Sequence, residues 1–366
     1  MSQISSEFSR FTRLTHLNLS WSSFFGKVPI EVSFLSKLIS LDLSNNYGLR
    51  LEEPGFELLV QNLTKVRELN LDSVNISSVV TNSFLNLTSL TLLDLSYCRL
   101  LGKFPDGIFQ LPHLNELRIY DNFALTGYFP EFINSSSPLQ YLDLSNTNFS
   151  GELPDSIGNL KSLKQLRASS CKFYGSIPTS LGNLTEMTYL VIGYNNFTGM
   201  LLSSLSNLRN LVVLEVQCNN FEDLSNTQLT GPLPSQIIGF PNLSWLSLDD
   251  NLINGTIPSW VFSLPELYYF TISNNKLIGH VKEFKSTHLG FVDMSNNNLH
   301  GSCSAFQFDL GGAAFGLMAN FGQADILRNA RKLKIQYQSA SKSSLFSVSG
   351  YFEALLGYIS GCFNGD

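Results

Sequence analysis

The residues that could carry out acid–base or covalent chemistry are scattered along this chain without a shared pattern. None of the five histidines stands in a motif with a Ser or Cys nucleophile and a matching base: His16, His113, His280, His288 and His300. The glycine-rich run at 311–316 lacks the Lys-Ser/Thr of a phosphate loop, and no kinase motif is present. The sequence therefore predicts no catalytic site, no metal site and no cofactor, and we expect that the chain is not an enzyme.

A second set of side chains recurs at fixed spacing and fits non-covalent recognition. Aromatic and arginine side chains dominate the hot spots of protein interfaces. The candidate ligand-binding residues combine these types with carboxylates and one amide: Arg118, Tyr120, Asp121, Arg167, Tyr189, Tyr194, Glu215, Gln217, Trp245, Asp249 and Asp250. Exposed positions of a repeated structure also drift without functional meaning, so this set is a hypothesis about a binding surface.

These residues occupy equivalent places in a repeated pattern, L-x-x-L-x-L-x-x-N-x-L-x-G-x-(I/V/L/F)-P. We call the first apolar residue of each copy its ladder position and number other residues by their offset from it; the candidates stand at offsets 2, 4, 6 and 7. Most copies are about 24 residues apart, a period typical of leucine-rich repeats. The ladder positions are Leu14, Leu38, Val66, Leu90, Leu114, Leu139, Leu163, Met187, Leu211, Leu243, Leu267 and Leu289.

The chemistry of one copy predicts its local structure. Leu142-Asp143-Leu144 alternates as a strand does, with the leucines inward. The Asn at offset 8 can satisfy backbone groups of the following turn. Burial of each inward side chain stabilises the fold by roughly 1.5–3 kcal/mol, whereas ordering each backbone residue costs about 1–2 kcal/mol of conformational entropy. Ordered backbone residues outnumber inward side chains, so one copy cannot fold alone. The predicted fold is an α/β leucine-rich repeat solenoid. It is a curved right-handed superhelix of about twelve plant-type 24-residue repeats, with a parallel β-sheet on its concave face.

The pattern also predicts boundaries and irregularities. Residues 1–13 are predicted to be part of a preceding repeat, and residues 14–303 are predicted to form the solenoid. Residues 304–366 are predicted to be a non-repeat tail of uncertain structure. Residues 48–54 of the 28-residue copy are predicted as a surface excursion. Residues 223–231 of the 32-residue copy restate a strand and turn, so they are predicted as a bulging loop left by repeat exchange, or alternatively as an adaptive binding loop.

The five cysteines do not form a disulfide framework. Cys98 and Cys171 stand at offset 8, where Asn is usual, and are interpreted as small buried turn residues. Cys218 stands one position earlier and is expected on the concave surface. Cys303 and Cys362 remain candidates for a bridge.

Composition points to an exterior solvated by neutral polar groups. Charged residues make up only 14% of the chain, and the net charge is −6. No basic stripe is visible in the sequence, so nucleic acid is not an expected partner. Ten Asn-x-Ser/Thr sequons are candidate glycosylation sites in a secreted protein, although Asn-Leu-Thr also suits the residues before a strand. They are Asn18, Asn62, Asn75, Asn86, Asn134, Asn148, Asn183, Asn196, Asn242 and Asn254.

The ends of the chain carry neither a secretory signal pattern after Met1 nor a run of about 20 apolar residues. We therefore expect the chain to be truncated at both ends relative to a longer, anchored solenoid.

The second half of the repeat, as in Gly151-Glu-Leu-Pro154 and Gly255-Thr-Ile-Pro258, resembles the plant-type extracellular leucine-rich repeat. The stretch from Phe11 to about Pro178 is similar to the ectodomains of plant receptor-like proteins of the Cf disease-resistance type. This resemblance implies a membrane-anchored glycoprotein at the extracellular face of the cell. Such a receptor binds a peptide or protein ligand and signals through an associated receptor kinase or co-receptor.

Two functional hypotheses follow. The first is a fragment of a cell-surface receptor that binds a peptide or protein on the concave face, for defence or developmental signalling. The second is a soluble extracellular leucine-rich repeat inhibitor of microbial cell-wall hydrolases. A nonfunctional truncated gene copy overlaps both.

Overall fold

The computed structural model describes residues 2–133, 137–201, 203–219, 228–235 and 240–300, with the side chains of 203 and 204 left aside. The predicted tail at 304–366, the Cys303–Cys362 bridge, the sequon at Asn134 and most of the 223–231 loop lie outside these residues.

One long parallel sheet runs through the described part of the chain. Each of its twelve strands occupies offsets 2 to 4 of one copy, and the apolar residue at offset 3 points into the core. This confirms the predicted strand alternation. We call it the ladder sheet, and its strands in order are His16–Asn18, Ser40–Asp42, Glu68–Asn70, Leu92–Asp94, Glu116–Arg118, Tyr141–Asp143, Gln165–Arg167, Tyr189–Val191, Val213–Glu215, Trp245–Ser247, Tyr269–Thr271 and Phe291–Asp293.

The turn that follows each ladder strand has the same backbone conformation in all twelve copies. The residue at offset 7 is left-handed every time, with φ between 51° and 65°. Asn tolerates this conformation, whereas bulky residues such as Trp21, Tyr97 and Tyr194 are disfavoured there. The turn therefore imposes a backbone cost that something else in the copy must offset.

In most copies a buried polar side chain at offset 8 supplies that compensation. Asn195 Nδ2 donates to the carbonyls of Ala168, Ile192 and Gly193 at 2.7, 3.1 and 3.0 Å, and its Oδ1 accepts from Phe173 N at 3.0 Å. Two of these partners belong to the preceding copy, so the amide joins neighbouring coils. The predicted role of this Asn is confirmed.

The two cysteines at offset 8 keep only part of this network. Cys98 Sγ donates to the carbonyls of Leu71 and Ser96 at 3.1 and 3.2 Å, and Cys171 makes the equivalent contacts. Both are buried, as predicted, and burial raises the pKa of the Cys171 thiol to about 11. They are inert turn residues.

A second parallel sheet, which the sequence pattern did not predict, follows the turns. Glycine at offset 12 lies in most of its strands: Gly175 has φ +77°, and a Cβ there would lie 2.8 Å from Glu152 Cγ. Nine strands form one part: Leu101–Lys103, Asn122–Gly127, Thr147–Gly151, Lys172–Ser176, Asn196–Met200, Leu229–Pro232, Leu252–Gly255, Lys276–His280 and Asn298–His300. Two strands pair separately at the N-terminal end: Phe25–Lys27 and Gly48–Arg50.

Short helices close most of the described coils opposite the ladder sheet, and most of these helices begin directly after a proline, whose fixed φ suits a helix start. The 3₁₀-helices are Ser6–Arg10, Ile30–Phe34, Asn82–Asn86, Asp106–Gln110, Asp155–Asn159, Thr179–Asn183 and Ser203–Asn207. The α-helices are Gly55–Asn62 and Ser259–Phe262. Helix Ser6–Arg10 begins eight residues before Leu14, the same spacing as in later copies, which is the geometry expected if residues 1–13 are part of a repeat.

The expectation that residues 48–54 form a surface excursion is wrong. Leu49 and Leu51 are buried, and Gly48–Arg50 pairs with Phe25–Lys27. The extra length of this copy instead turns the usual 3₁₀-helix into the eight-residue α-helix Gly55–Asn62. Its Glu57 accepts hydrogen bonds from Thr81 Oγ1 and Ser83 Oγ of the next copy.

Between the two sheets and the helices lies one continuous apolar core. Stacked leucines fill its ladder side, and phenylalanines at offset 10 line up beneath the turns: Phe149, Phe173 and Phe197 are all fully buried. Phe173 and Phe197 stack with ring centroids 6.3 Å apart. Each copy buries its neighbour's apolar face, so stability is shared along the array.

Replacing the turn amide is expected to be costly. Asn195→Leu leaves backbone donors and acceptors of two copies unpaired, so the free energy of unfolding should fall by about 3 kcal/mol, since each buried orphan costs roughly 1–3 kcal/mol. Asn195→Cys should lower the free energy of unfolding by less, because a thiol can keep the hydrogen bonds to the carbonyls. Urea unfolding measures both. Asn183→Leu, at an exposed position, is the control, and an equal loss there would contradict the assigned role.

Candidate ligand-binding surface

The predicted binding residues all lie on the side of the ladder sheet that faces away from the core, which we call the ladder face. All eleven are half-buried. Residues at offsets 2 and 4 stand on the strands, whereas those at offsets 6 and 7 stand in the turns at the strand ends. In-register parallel pairing lines up equal offsets as rows across the sheet. The fold therefore brings the predicted strip together over six neighbouring strands, from Glu116–Arg118 to Trp245–Ser247.

Arginine and carboxylate alternate along the offset-4 row in the middle of the ladder face. Arg118 contacts Glu116 Oε2 at 2.9 Å and Asp94 Oδ2 at 3.7 Å, and its guanidinium carbon lies 4.5 Å from the centroid of the Tyr141 ring. Asp143 stands opposite Arg118 on the next strand. Burial raises the pKa of the Asp94 carboxyl, and the Arg118 charge opposes that rise.

Arg167 follows Asp143 in the same row, but it is held differently from Arg118. Its guanidinium carbon lies 5.1 Å from the centroid of the Tyr189 ring. Within the described ranges it makes no ion pair shorter than 4.0 Å, and its Nε, like that of Arg118, is buried without a hydrogen-bond partner. Its remaining N–H groups can donate hydrogen bonds to an anionic or carbonyl group of a ligand.

The C-terminal strands carry an aromatic stack that sequence reasoning found only in part. Trp245 and Tyr269 stack with centroids 3.7 Å apart, and Tyr269 and Phe291 follow at 4.8 Å, with interplanar angles of 8° and 10°. All three stand at offset 2. Trp245 is among the predicted binding residues, whereas Tyr269 and Phe291 are not, although their shared offset was a usable signal. The stacked rings present their edges outward as an apolar surface.

Carboxylates border this stack. Asp249 accepts hydrogen bonds from Ser273 N at 2.7 Å, from Ser247 Oγ at 3.1 Å and from Thr271 Oγ1. Burial nevertheless raises the pKa of Asp249 to about 6. Asp250 Oδ1 accepts from Asn274 Nδ2 at 2.7 Å.

Glu215 and Gln217 link the central arginines to this acidic region. Gln217 Nε2 donates to Glu215 Oε2 at 3.4 Å, and burial raises the pKa of the Glu215 carboxyl. The ladder face thus changes from arginine-containing in the middle to acidic and aromatic toward its C-terminal end.

A further acidic group lies on the N-terminal side of the predicted strip. Burial first, and then the nearby Asp94 charge, raises the pKa of Asp72 to about 6. Tyr97 and Tyr120 pack edge to face beside this group with centroids 5.3 Å apart. Tyr97 belongs to the same surface as the predicted Tyr120, but sequence reasoning did not select it.

The turn positions of the strip carry the left-handed backbone. Asp121, Tyr194 and Asp250 have φ of 56°, 55° and 52°, and Asn146 Nδ2 donates to Asp121 Oδ1 at 2.8 Å. The expectation that Cys218 lies on the surface is wrong: at this left-handed position its side chain is only 8% exposed, with Sγ 3.4 Å from Asp250 Oδ2.

The sequons fall mainly outside the ladder face. Asn18, at offset 4, is the one sequon on this face among the described residues, and it is exposed. Asn86, Asn183, Asn242 and Asn254 are exposed at the helix ends, before a strand or on the second sheet, and Asn62, Asn75, Asn148 and Asn196 are half-buried. Beyond the first strand the ladder face carries no described sequon.

The carboxylates of the ladder face should make the protein more stable in mild acid. The pKa of Asp72 and of Asp249 rises from 3.8 to about 6 on folding. The folded state therefore holds extra protons between these values, and the free energy of unfolding should increase as the pH falls from 7 toward 4.5. Urea midpoints across this range measure the effect, and Asp72→Asn with Asp249→Asn should flatten it. Stability that falls with acidification would contradict the assignment.

Comparison with known proteins agrees with the geometry. A family model described as "Leucine-rich repeat region" matches residues 125–226, and one described as "Leucine Rich Repeat" matches 89–111 and 242–264. Among solved structures, the plant peptide hormone receptor RGFR1 in complex with RGF2 is similar over 86% of this chain and 52% of its own, at 30% identity and a TM-score of 0.69. The Arabidopsis receptor kinase HAESA, in complex with the peptide hormone IDA and the co-receptor SERK1, matches 81% of this chain and 56% of its own, at 27% identity and a TM-score of 0.63.

The similar curated proteins are receptor-like proteins of plants. Receptor-like protein 6 of Arabidopsis thaliana is 41% identical over 155 residues, which are 41% of this chain and 16% of that protein. Receptor-like protein Cf-9 of Solanum pimpinellifolium is 43% identical over 124 residues, 34% of this chain and 14% of that protein. The match thus spans about a sixth of these relatives. The chain has the leucine-rich repeat fold, and the curated proteins similar to part of it are plant receptor-like proteins.

Proposed function

We propose that this chain is part of the ligand-recognition ectodomain of a plant cell-surface receptor-like protein. It binds a peptide or protein on the ladder face, for defence or developmental signalling, and its signal passes to a receptor kinase or co-receptor. The observation that carries the proposal is the ladder face itself, where aromatic, arginine and carboxylate side chains stand in register over neighbouring strands.

The chemistry of the ladder face suits an extended ligand. Rows of side chains run across the strands, so a peptide lying along a row meets a new side chain about every 4.8 Å, whereas an extended chain rises about 3.3 Å per residue. The arginines of the middle strands offer donors, and the C-terminal strands offer carboxylates and the Trp245–Tyr269–Phe291 stack. Such a surface distinguishes ligands by the order of their charged and apolar groups.

The relatives and the placement of the sequons support the same surface. The similar solved structures include plant receptors in complex with peptide hormones. A glycan is bulky and blocks docking, and the described sequons leave the ladder face open beyond Asn18. In the described ranges no helix is both long and apolar enough to cross a membrane.

Truncating the aromatic anchors should weaken binding. For peptides selected on the purified chain from a displayed library of short random peptides, Tyr189→Ala and Trp245→Ala should each lower the affinity by about 2 kcal/mol or more, as hot-spot residues do. Titration calorimetry measures the loss, and circular dichroism checks the fold.

Tyr174→Ala is the matched control, because Tyr174 is an exposed aromatic residue on the second sheet. Peptides whose binding depends on Tyr174 and tolerates both ladder-face variants would place recognition elsewhere and overturn the proposal.

Sequon occupancy gives a separate test of the extracellular assignment. When the chain is secreted from plant cells, Asn86, Asn183 and Asn254 should carry glycans, because their side chains are exposed. Asn62 should be modified less, since it is half-buried and donates to Ser33 Oγ at 3.4 Å. Glycopeptide mass spectrometry reads out each site, and unmodified asparagine at all three exposed positions would speak against the proposal.

A further inference from the structure

The residues that lead into the ladder strands form a second surface, beside the ladder face. We call the residues at offsets −2, −1 and 1 the lead-in flank. At offset 1 the backbone is hydrogen-bonded from copy to copy: Arg67 N donates to Ile39 O at 2.7 Å, and Thr91 N donates to Arg67 O at 2.7 Å. The same link recurs along the array, for example from Thr188 N to Lys164 O at 2.7 Å. Side chains at these offsets therefore line up in rows along the edge of the sheet.

Cations are concentrated on this flank. From Thr12 to Val212 the three offsets hold seven Lys or Arg side chains, one His and a single carboxylate, Glu186, in a chain whose net charge is −6. All of these basic side chains are exposed, and no ion pair joins any of them to a described residue. They are Arg13, Lys37, Lys65, Arg67, His113, Lys161, Lys164 and Arg209. The sequence expectation of no basic stripe is thus corrected, because the stripe exists only once the coils are stacked.

The densest part lies at the N-terminal end. Arg13, Lys37 and Lys65 all stand at offset −1 of three consecutive copies, whose strands pair in register. Strand spacing places equivalent backbone positions about 4.8 Å apart, so these charges form a short line along the solenoid. Holding three unpaired cations in a line costs free energy through mutual repulsion, and a complementary anion relieves it.

We infer that the lead-in flank binds a linear acidic polysaccharide, a chain of sugars that carries carboxylates or sulfates at regular intervals. The periodic line of cations matches a polymer whose charges also recur periodically. Threonine and serine fill most of the remaining positions, including Thr12, Ser36, Thr64 and Thr88, and their hydroxyls can hydrogen bond to sugar hydroxyls.

Two other polyanion partners fit less well. Sites for single-stranded nucleic acid combine cations with aromatic side chains that stack on the bases, and the lead-in flank from Thr12 to Val212 contains no aromatic residue. A folded acidic protein offers no charge repeat to match the copies. This surface is separate from the candidate peptide site, so either proposal can fail without the other.

The test measures binding of the full chain to polygalacturonate, a polyuronate, by biolayer interferometry. The variant Arg13→Gln/Lys37→Gln/Lys65→Gln removes the line of cations. Its matched control, Lys172→Gln/Lys276→Gln/Lys282→Gln, removes three exposed cations outside the flank and therefore has the same net charge. We expect the first variant to lose tenfold or more in affinity and the control less than twofold.

Further probes separate charge from structure. Fully methyl-esterified polygalacturonate, which is neutral, should not bind, and Arg13→Lys/Lys37→Arg/Lys65→Arg should retain wild-type affinity. The affinity should fall as the salt concentration rises. The slope of log affinity against log salt concentration should be shallower for the Gln variant, by an amount that corresponds to roughly two to three fewer neutralised charges. Equal losses in both Gln variants, equal binding of the neutral ester, or tighter binding of oligodeoxythymidylate than of polygalacturonate would each overturn the inference.

Discussion

The structure depends on the hydrogen-bonding of one tight turn. As the chain leaves each ladder strand it passes through a left-handed residue, and the backbone groups around that residue face away from water. A buried amide in the next position satisfies them and reaches the preceding coil, as Asn195 does with Ala168 O and Phe173 N. Because an unpaired buried group costs roughly 1–3 kcal/mol, this side chain stabilises the turn, although the copy with Val74 at offset 8 keeps the same left-handed turn without a polar side chain there. Cys98 and Cys171 show the tolerance of the position, since a thiol retains the contacts to carbonyls.

Turns of one kind keep the coils in register, and register creates the surfaces. Equal offsets become rows, so like charges in one row are forced close together. Charges in neighbouring rows are also close: Asp72 stands at offset 6 and Asp94 at offset 4 of the next copy, and burial together with the Asp94 charge raises the pKa of Asp72 to about 6. Placing Arg118 and Arg167 on either side of Asp143 relieves the same problem farther along. The electrostatics of the ladder face therefore depend on which charged side chains stand next to one another on adjacent strands.

The same register separates three surfaces with different chemistry. The ladder face carries the aromatic and charged candidates, the lead-in flank carries unpaired cations, and the described sequons other than Asn18 avoid the strands of the ladder sheet. A receptor ectodomain needs such separation, since glycans must not cover the contacts. The ladder face and the lead-in flank are the surfaces on which the proposed peptide and polysaccharide sites lie.

The sequence alone determined the fold. The apolar period predicted all twelve ladder strands, and the Asn at offset 8 predicted the turn. Both patterns reflect local requirements that each copy must meet within its own two dozen residues. Contacts between copies decided the rest. The second sheet, the Trp245–Tyr269–Phe291 stack, the burial of Cys218 and the alignment of Arg13, Lys37 and Lys65 all join residues more than twenty positions apart. They became visible only in three dimensions, because hydrogen bonds between adjacent coils fix which of these distant side chains are neighbours.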